Sequence, residues 1–306
     1  MNKNIPIVFT FDKRIVLGAA VAIKSLIETA NDDTVYDIYV FHPDIDDKTI
    51  LCFEKMLANT QHKISFEFID KSRFKHAPIN KGGSWTEIVY YRLLIAELLP
   101  QYDCVIYSDV DVLFMKDMRE VYELNLCGYE FAAVRAERNS SEMIGHKYFK
   151  ENDNEFIYWS GFIVMNTKLM RENEFVDRCF DVINTYNDRL KFFDLDTLNL
   201  VSSKIKDVPF DYCTLQSVYY LDNLSESEEY EYIKNVYTDE ELLYAKENPA
   251  IVHYAGKPGK PWRMPVPYSD YQEYIVKVPS ELRKYTLRDY KKKFLAKVKG
   301  SGKIKS

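Results

Sequence analysis

The sequence predicts an α/β protein with a mainly parallel sheet flanked by helices, continued by a basic helical extension. Three observations carry this. Apolar runs of strand length alternate with helix-length segments over the first hundred residues, the pattern of strand–helix–strand units. The apolar run 104–108 stops at two carboxylates, Asp109 and Asp111, followed at once by Val112, Leu113 and Phe114. Residues 282–306 hold ten Lys/Arg and one Asp, a charge of +9, so the total of −6 leaves the remaining chain at −15.

In chain order, residues 5–10 read as a first strand and residues 18–29 as a helix. A second strand spans 35–42, and a helix spans 46–59 with Ile50, Phe53 and Leu57 on one face. Residues 64–69 alternate as a third strand. A loop with Pro78, Gly82 and Gly83 precedes a helix over 87–99 that ends before Pro100. The central strand 104–108 then runs into the aspartate pair. Strands are expected over 131–134, 161–166 and 250–254, one long helix over 168–189, and an acidic surface loop over 226–231. With 306 residues, no repeat and no linker, one domain over 1–263 followed by an extension over 264–306 is the simplest organisation.

Composition narrows the function. An apolar content of 46% supports a sizeable core. No run of 18 or more apolar residues occurs, so no transmembrane helix is expected. The start Met1-Asn2-Lys3-Asn4 lacks the apolar stretch of a signal peptide. Cys52, Cys104, Cys127, Cys179 and Cys213 are scattered without a Cys-x-x-Cys pair. They read as reduced residues of a cytoplasmic protein and not as a zinc site. An acidic body argues against nucleic acid as a partner. The tail from Arg283 to Leu295 mixes cations with aromatics and Leu, which suits an anionic membrane surface at the inner face. A solvated terminus is the plainer reading of it.

In extended backbone, positions i and i+2 face the same side. Asp109 and Asp111 therefore deliver hard oxygen ligands together at the carboxyl end of a strand, where open α/β sheets bind ligands. That pairing suits Mg²⁺ or Mn²⁺ sharing its coordination with substrate phosphates. Isolated Asp-x-Asp pairs are mostly solvated turns. Between Val, Ile, Leu and Phe, however, unpaired carboxylates are costly unless they meet a cation. His253 ends the apolar run 250–253 before the Gly- and Lys-rich stretch 256–262. Imidazole alongside carboxylates favours Mn²⁺ over Mg²⁺. Glycines admit phosphate oxygens close to the backbone, and Lys257 or Lys260 supplies a point charge.

Several stretches in order resemble glycosyltransferase family 8, the retaining group that includes bacterial lipopolysaccharide galactosyl- and glucosyltransferases. They are Ile7–Asp12, Tyr91-Arg92-Leu93, Tyr107–Leu113, Ser160–Asn166, Asp194–Asn199, His253–Gly256 and Lys260-Pro261-Trp262. The resemblance implies a Rossmann-like GT-A fold and a UDP-hexose donor, glucose or galactose. It also implies a saccharide or lipid-linked saccharide acceptor, and Mn²⁺ held by Asp109, Asp111 and His253. By the same resemblance Thr10 and Asp12 contact uracil and ribose, and Ile15 stands where an aromatic residue commonly stacks on the base. Arg92, Val110, Trp159 and Ser160 belong to the donor pocket, with Gly256 and Lys260 at the phosphates.

The resemblance also implies that Asp194 and Asp196 are the catalytic-region carboxylates, with Asp194 contacting donor-sugar hydroxyls. Acidic residues in a first helical turn are also favoured by the helix dipole alone. Where relatives carry Gln between these acids the chain has Leu195, which excludes a double displacement through that position. Trp159 and Arg135 depart similarly from the usual Asn and Asp, and so bear on sugar identity. A haloacid-dehalogenase phosphohydrolase also places Asp-x-Asp after a strand, but it needs Thr where Leu113 stands. A silent sugar-nucleotide-binding scaffold is the other alternative, which loss of a metal ligand would favour.

Overall fold

The computed structural model describes residues 4–80, 86–140, 149–227, 229–256, 259–263, 269–287, 289–291 and 295. Gly82, Gly83, Lys257 and, in the expected extension, residues 264–268, 288, 292–294 and 296–306 lie outside the described residues. The strands are β1 (Ile5–Thr10), β2 (Tyr36–His42), β3 (Lys63–Phe68), β4 (Val105–Ser108), β5 (Val112–Phe114), β6 (Phe131–Arg138), β7 (Phe156–Met165), β8 (Ile205–Val208), β9 (Thr214–Leu215) and β10 (Ile251–His253).

A 7-stranded sheet has the order β3-β2-β1-β4-β7-β6-β8. Strands β1 to β4 are parallel, and β7 runs antiparallel between β4 and β6. The sheet is thus mainly parallel, as expected. Its centre is covered on both faces, which is why every residue of β1 is apolar or capped by a partner and buried. Helix α1 (Val16–Glu28) lies on one face, its Ala19, Ala20 and Ala22 permitting close approach to the strands. Helix α2 (Asp47–Leu57) follows, with the Asp46 carboxylate accepting from the Thr49 amide at 2.8 Å. The opposite face is covered by a 3-10 helix, Glu87–Leu94, and by the helices Phe175–Thr185 and Asp194–Val201.

A second, 3-stranded sheet, β5-β10-β9, was not foreseen. Its strands are two or three residues long, too short for periodicity to register. The expected helix over 87–99 is 3-10 up to Leu94 and α-helical only at Ile95–Leu98. The expected helix over 168–189 is two, Thr167–Glu172 and Phe175–Thr185, because Glu174 takes a left-handed φ of 53°. Several of the described residues after 263 pack onto the body. Helix Ser269–Lys277 packs against α1, with Tyr271 fully buried between Tyr254 and Trp262. Asp289 is buried against Arg263, and Lys284 Nζ donates to Thr49 at 2.5 Å.

Candidate active site

The aspartate pair bridges the two sheets. Asp109 follows β4, and its amide donates to the Gly161 carbonyl on β7 at 2.8 Å. Asp111 precedes β5, and its carbonyl accepts from the Tyr254 amide at 2.8 Å. Val110, between them, turns its side chain into the core. Backbone pinned at both ends holds the two carboxylates toward His253, which sits opposite Val112 in the β5–β10 register. His253 Nε2 lies 3.5 Å from Asp111 Oδ1 and 3.8 Å from Asp109 Oδ2. One ligand atom from each of the three falls within 4.8 Å of the others.

Arg92 organises the surroundings. It is buried at 4% exposure, with Nη2 3.0 Å from Asp109 Oδ1 and Nη1 3.2 Å from Asp194 Oδ2. Its Nε donates to the Val89 carbonyl at 3.0 Å, and Nη1 donates to the Ser160 carbonyl. The guanidinium also lies 4.2 Å over the Tyr107 ring. Tyr107 donates to Asp109 Oδ1 at 2.7 Å and meets Thr10 Oγ1 at 3.1 Å. Burial pushes the Arg92 pKa down, but Asp194, Tyr107 and Asp109 outweigh it and hold it above the usual value.

Strand β7 is irregular where it passes this group. Its register against β6 shifts between Ala133 and Arg135, opposite residues 159–162. Bulges of this kind re-aim side chains beside active sites. Here the irregularity presents the Ser160 and Gly161 carbonyls to Arg92 and Asp109. Gly161 leaves room for the imidazole: a Cβ on it would stand 2.6 Å from His253 Cε1 and 3.2 Å from Asp109 Oδ2. Trp159 packs at 6.0 Å against Phe210 and joins Leu195, Ala136 and Ile157 in an apolar group.

Asp194 enters the site through a strained turn. Phe193, just before it, has φ 49° and ψ −99°, a conformation costing a non-glycine residue about 1–3 kcal/mol. Asp196 braces that turn, its Oδ2 accepting from the amides of Lys191 at 2.7 Å and Phe192 at 2.8 Å. Asp196 thus acts on its own backbone, and of the expected acid pair it is Asp194 that meets Arg92. Burial raises the Asp194 pKa to about 6, against the opposing pull of Arg92 and Ser160.

The loop after β10 completes the enclosure. Lys260 Nζ contacts the Asp111 carboxylate and donates to the Tyr254 carbonyl at 3.0 Å. Burial pushes the Asp111 pKa up, but Lys260 and His253 overcome it and hold the group far below the carboxylate range. Gly256 has φ +69°, and a Cβ there would stand 2.8 Å from Glu229 Oε1. Nearer the start of the chain, Asp12 is buried and paired with Arg14, whose amide donates to it at 2.8 Å. Ile15 caps α1 and is half-buried. Arg135 lies apart from the carboxylates, ion-paired with Asp207 at 3.1 Å and stacked over Phe156.

Sequence reasoning missed Tyr107, Arg14, Glu229 and Cys213. Cys213 Sγ lies 3.3 Å from His253 Nδ1. Cys213 and Glu229 gain their place only when distant segments meet, whereas Arg14 and Tyr107 bind the carboxylates two residues along the chain, at Asp12 and Asp109. The donor set fits a divalent cation. Two carboxylates and an imidazole converge, Gly161 vacates the volume beside them, and the Lys260 ammonium already lies against Asp111.

A GT-A sheet with this acidic centre at the ends of its parallel strands is the architecture of a glycosyltransferase. The family model for glycosyl transferase family 8 matches residues 6–264, and the chain belongs to that family. Among curated proteins it is 27% identical over 271 residues to lipopolysaccharide 1,3-galactosyltransferase of Salmonella typhimurium, covering 84% of this chain and 72% of that one. It is 25% identical over 176 residues to glycosyltransferase GlyA of Streptococcus pneumoniae, covering 57% of this chain and only 21% of that protein. Among solved structures, an active-site mutant of LgtC matches with a TM-score of 0.72 at 22% identity, covering 91% of this chain and 99% of that one. These matches place the chain with transferases and not with haloacid dehalogenases.

Proposed function

We propose that this enzyme moves a hexose from a UDP-sugar to a saccharide acceptor with retention of configuration, using Mn²⁺ (Mg²⁺ as the weaker alternative) held by Asp109, Asp111 and His253. The observation that carries the reading is the convergence of those three ligands beside the Gly256–Lys260 loop. The similarity to a lipopolysaccharide 1,3-galactosyltransferase favours UDP-galactose as donor and a lipid-linked saccharide as acceptor.

When bound, the metal supplies Lewis-acid stabilisation of the charge that develops on the departing diphosphate, worth several kcal/mol. The protein's own residues do the rest. Arg92 holds Asp109 and Asp194 in fixed orientation through its fork of donors. Asp194, anchored by Arg92, accepts from donor-sugar hydroxyls. Lys260 moves from Asp111 to a phosphate oxygen, and Gly256 lets the backbone approach it. Leu195 offers no nucleophile, so the acceptor hydroxyl attacks from the face of the leaving diphosphate, whose oxygen takes the proton. Thr10 and Asp12, at the end of β1, lie where the nucleoside is read.

We place residues 1–263 as the transferase unit and the remainder as its surface attachment. Leu287 at 89% exposure and Tyr290 support a site against an anionic membrane on the cytoplasmic side. Arg283 and Lys284 are already bound to Val278 and Thr49. The apolar side chains, more than those cations, carry this attachment. No helix of the described residues is long and apolar enough to cross a membrane.

The test is UDP release from UDP-galactose, UDP-glucose and their N-acetyl forms, with Mn²⁺ or with EDTA. Metal-dependent release lost in Asp111→Ala is expected. No release from any donor, together with no Mn²⁺-dependent UDP binding, favours the silent scaffold instead.

A further inference from the structure

Behind the imidazole of His253, on the side away from the aspartates, stands a thiol. Cys213 is 1% exposed, and its Sγ lies 3.3 Å from Nδ1. The placement follows from the small sheet. Cys213 ends the 3-10 helix Phe210–Cys213 and leads directly into β9. Strand β9 pairs in parallel with β10, aligning Leu215 with His253. The same parallel pair is continued by the Ala250 amide donating to the Asp211 carbonyl at 2.8 Å. Tyr212, the neighbour of Cys213, stacks on Phe162 of β7 at 5.7 Å. Both the residue carrying the thiol and the strand carrying the imidazole are therefore tied to one rigid block.

We infer that Cys213 is a positioning residue for the metal centre, setting the tautomer and the plane of His253 through an Nδ1–H···Sγ hydrogen bond. The inference rests on the reading of Asp109, Asp111 and His253 as metal ligands. An imidazole that gives its Nε2 lone pair to a cation keeps its proton on Nδ1, and that N–H needs an acceptor. Metal-bound histidines meet the need with a carboxylate, carbonyl or water, and loss of such a partner typically lowers metal affinity about 10–100-fold. The acceptor facing Nδ1 here is sulfur. On the ring's other flank the missing Cβ of Gly161 leaves the imidazole edge its space. Sγ at Nδ1 and Gly161 beside Cε1 together leave the ring one orientation, with Nε2 toward the two carboxylates.

The experiment measures Mn²⁺ binding by the loss of the free-ion paramagnetic resonance signal, with UDP present, for the unaltered chain, Cys213→Ala and Cys213→Ser. Thermal unfolding without metal is recorded for each. Cys213→Ala is expected to bind Mn²⁺ about 10–100-fold more weakly. Cys213→Ser, which keeps an acceptor on a shorter bond, is expected to recover part of that loss. Filling the site with Co²⁺ separates a partner of the ligand from a ligand. The visible ligand-field band should shift in Cys213→Ala, and the unaltered chain should show no thiolate-to-cobalt charge-transfer band. Equal Mn²⁺ affinity in all three proteins overturns the role of Cys213 alone. So does a charge-transfer band, which would make the thiol itself a ligand. An unaltered chain that binds no Mn²⁺ overturns the metal reading and this inference with it.

Discussion

The ammonium of Lys260 lies against the carboxylate of Asp111, the proposed metal ligand that also faces His253 Nε2 at 3.5 Å. One cation of the protein thus occupies the ground a metal ion would take, and an entering metal would have to displace it. A phosphate group arriving with the metal offers Lys260 another partner, so donor and metal should bind cooperatively. Lys260→Met keeps the aliphatic stem and removes the competitor. Its affinity for Mn²⁺ without nucleotide should rise about tenfold, equivalent to ~1.4 kcal/mol, while the gain on adding UDP should shrink. Calorimetric titration with Mn²⁺, with and without UDP, checks both. A lysine indifferent to the metal would leave the two proteins identical.

Arg92, itself buried, shares its guanidinium between the half-buried Asp109, hydrogen-bonded at 3.0 Å, and the buried Asp194, ion-paired at 3.2 Å. Removing one partner of a buried pair leaves an uncompensated charge, at a cost of about 3–5 kcal/mol. Arg92→Met should therefore lower the free energy of unfolding by about that much. Adding Asp194→Asn should return a good part of it, since the orphaned carboxylate is then neutral. Urea denaturation of the single and double variants measures this. Additive losses would show that the two residues do not depend on each other.

The parts of this site that were legible in the sequence are those that depend on local order. Asp109 and Asp111 stand out because an apolar strand ends on them, and His253 because an apolar strand ends there too. What joins them is not local. The antiparallel pairing of β5 with β10 sets His253 opposite Val112, across about 140 residues of chain that no periodicity links. Helix ends were misread where one residue overrides propensity, as Glu174 does by turning left-handed between two helices. Strand β6 was read too short because Arg135, Glu137 and Arg138 look like loop residues, although they continue the pairing with β7. Asp196 carries a second, local duty that its place in the motif does not announce: its Oδ2 accepts from the Lys191 and Phe192 amides at the turn before Phe193.

Gly161 gives a test of space alone. Its φ lies outside the left-handed region, so alanine is compatible with the backbone. The new methyl would nevertheless meet His253 Cε1 at 2.6 Å, and the ring would have to turn. Gly161→Ala should fold with little change in unfolding temperature yet bind Mn²⁺ at least about tenfold more weakly, as expected when a ligand is displaced. Paramagnetic resonance titration of Mn²⁺ reads the loss. Unaltered affinity would mean that His253 is not held where a metal needs it.

Asp194 carries a pH signature of its own. Burial raises its pKa from 3.8 to about 6. Between those values the folded chain holds a proton that the unfolded chain has released. Stability from this group is therefore fully present below pH 3.8 and is lost as pH rises through about 6. At 1.36 kcal/mol per unit the loss amounts to about 3 kcal/mol by pH 7. Asp194→Asn cannot titrate and should lack this component. Unfolding free energies from urea denaturation between pH 4 and pH 7 provide the comparison. The unaltered chain should decline relative to Asp194→Asn across that interval, with most of the divergence near pH 5 to 6. Curves that stay parallel would mean that Arg92 and the other partners of Asp194 fully offset its burial, so that its pKa is not raised.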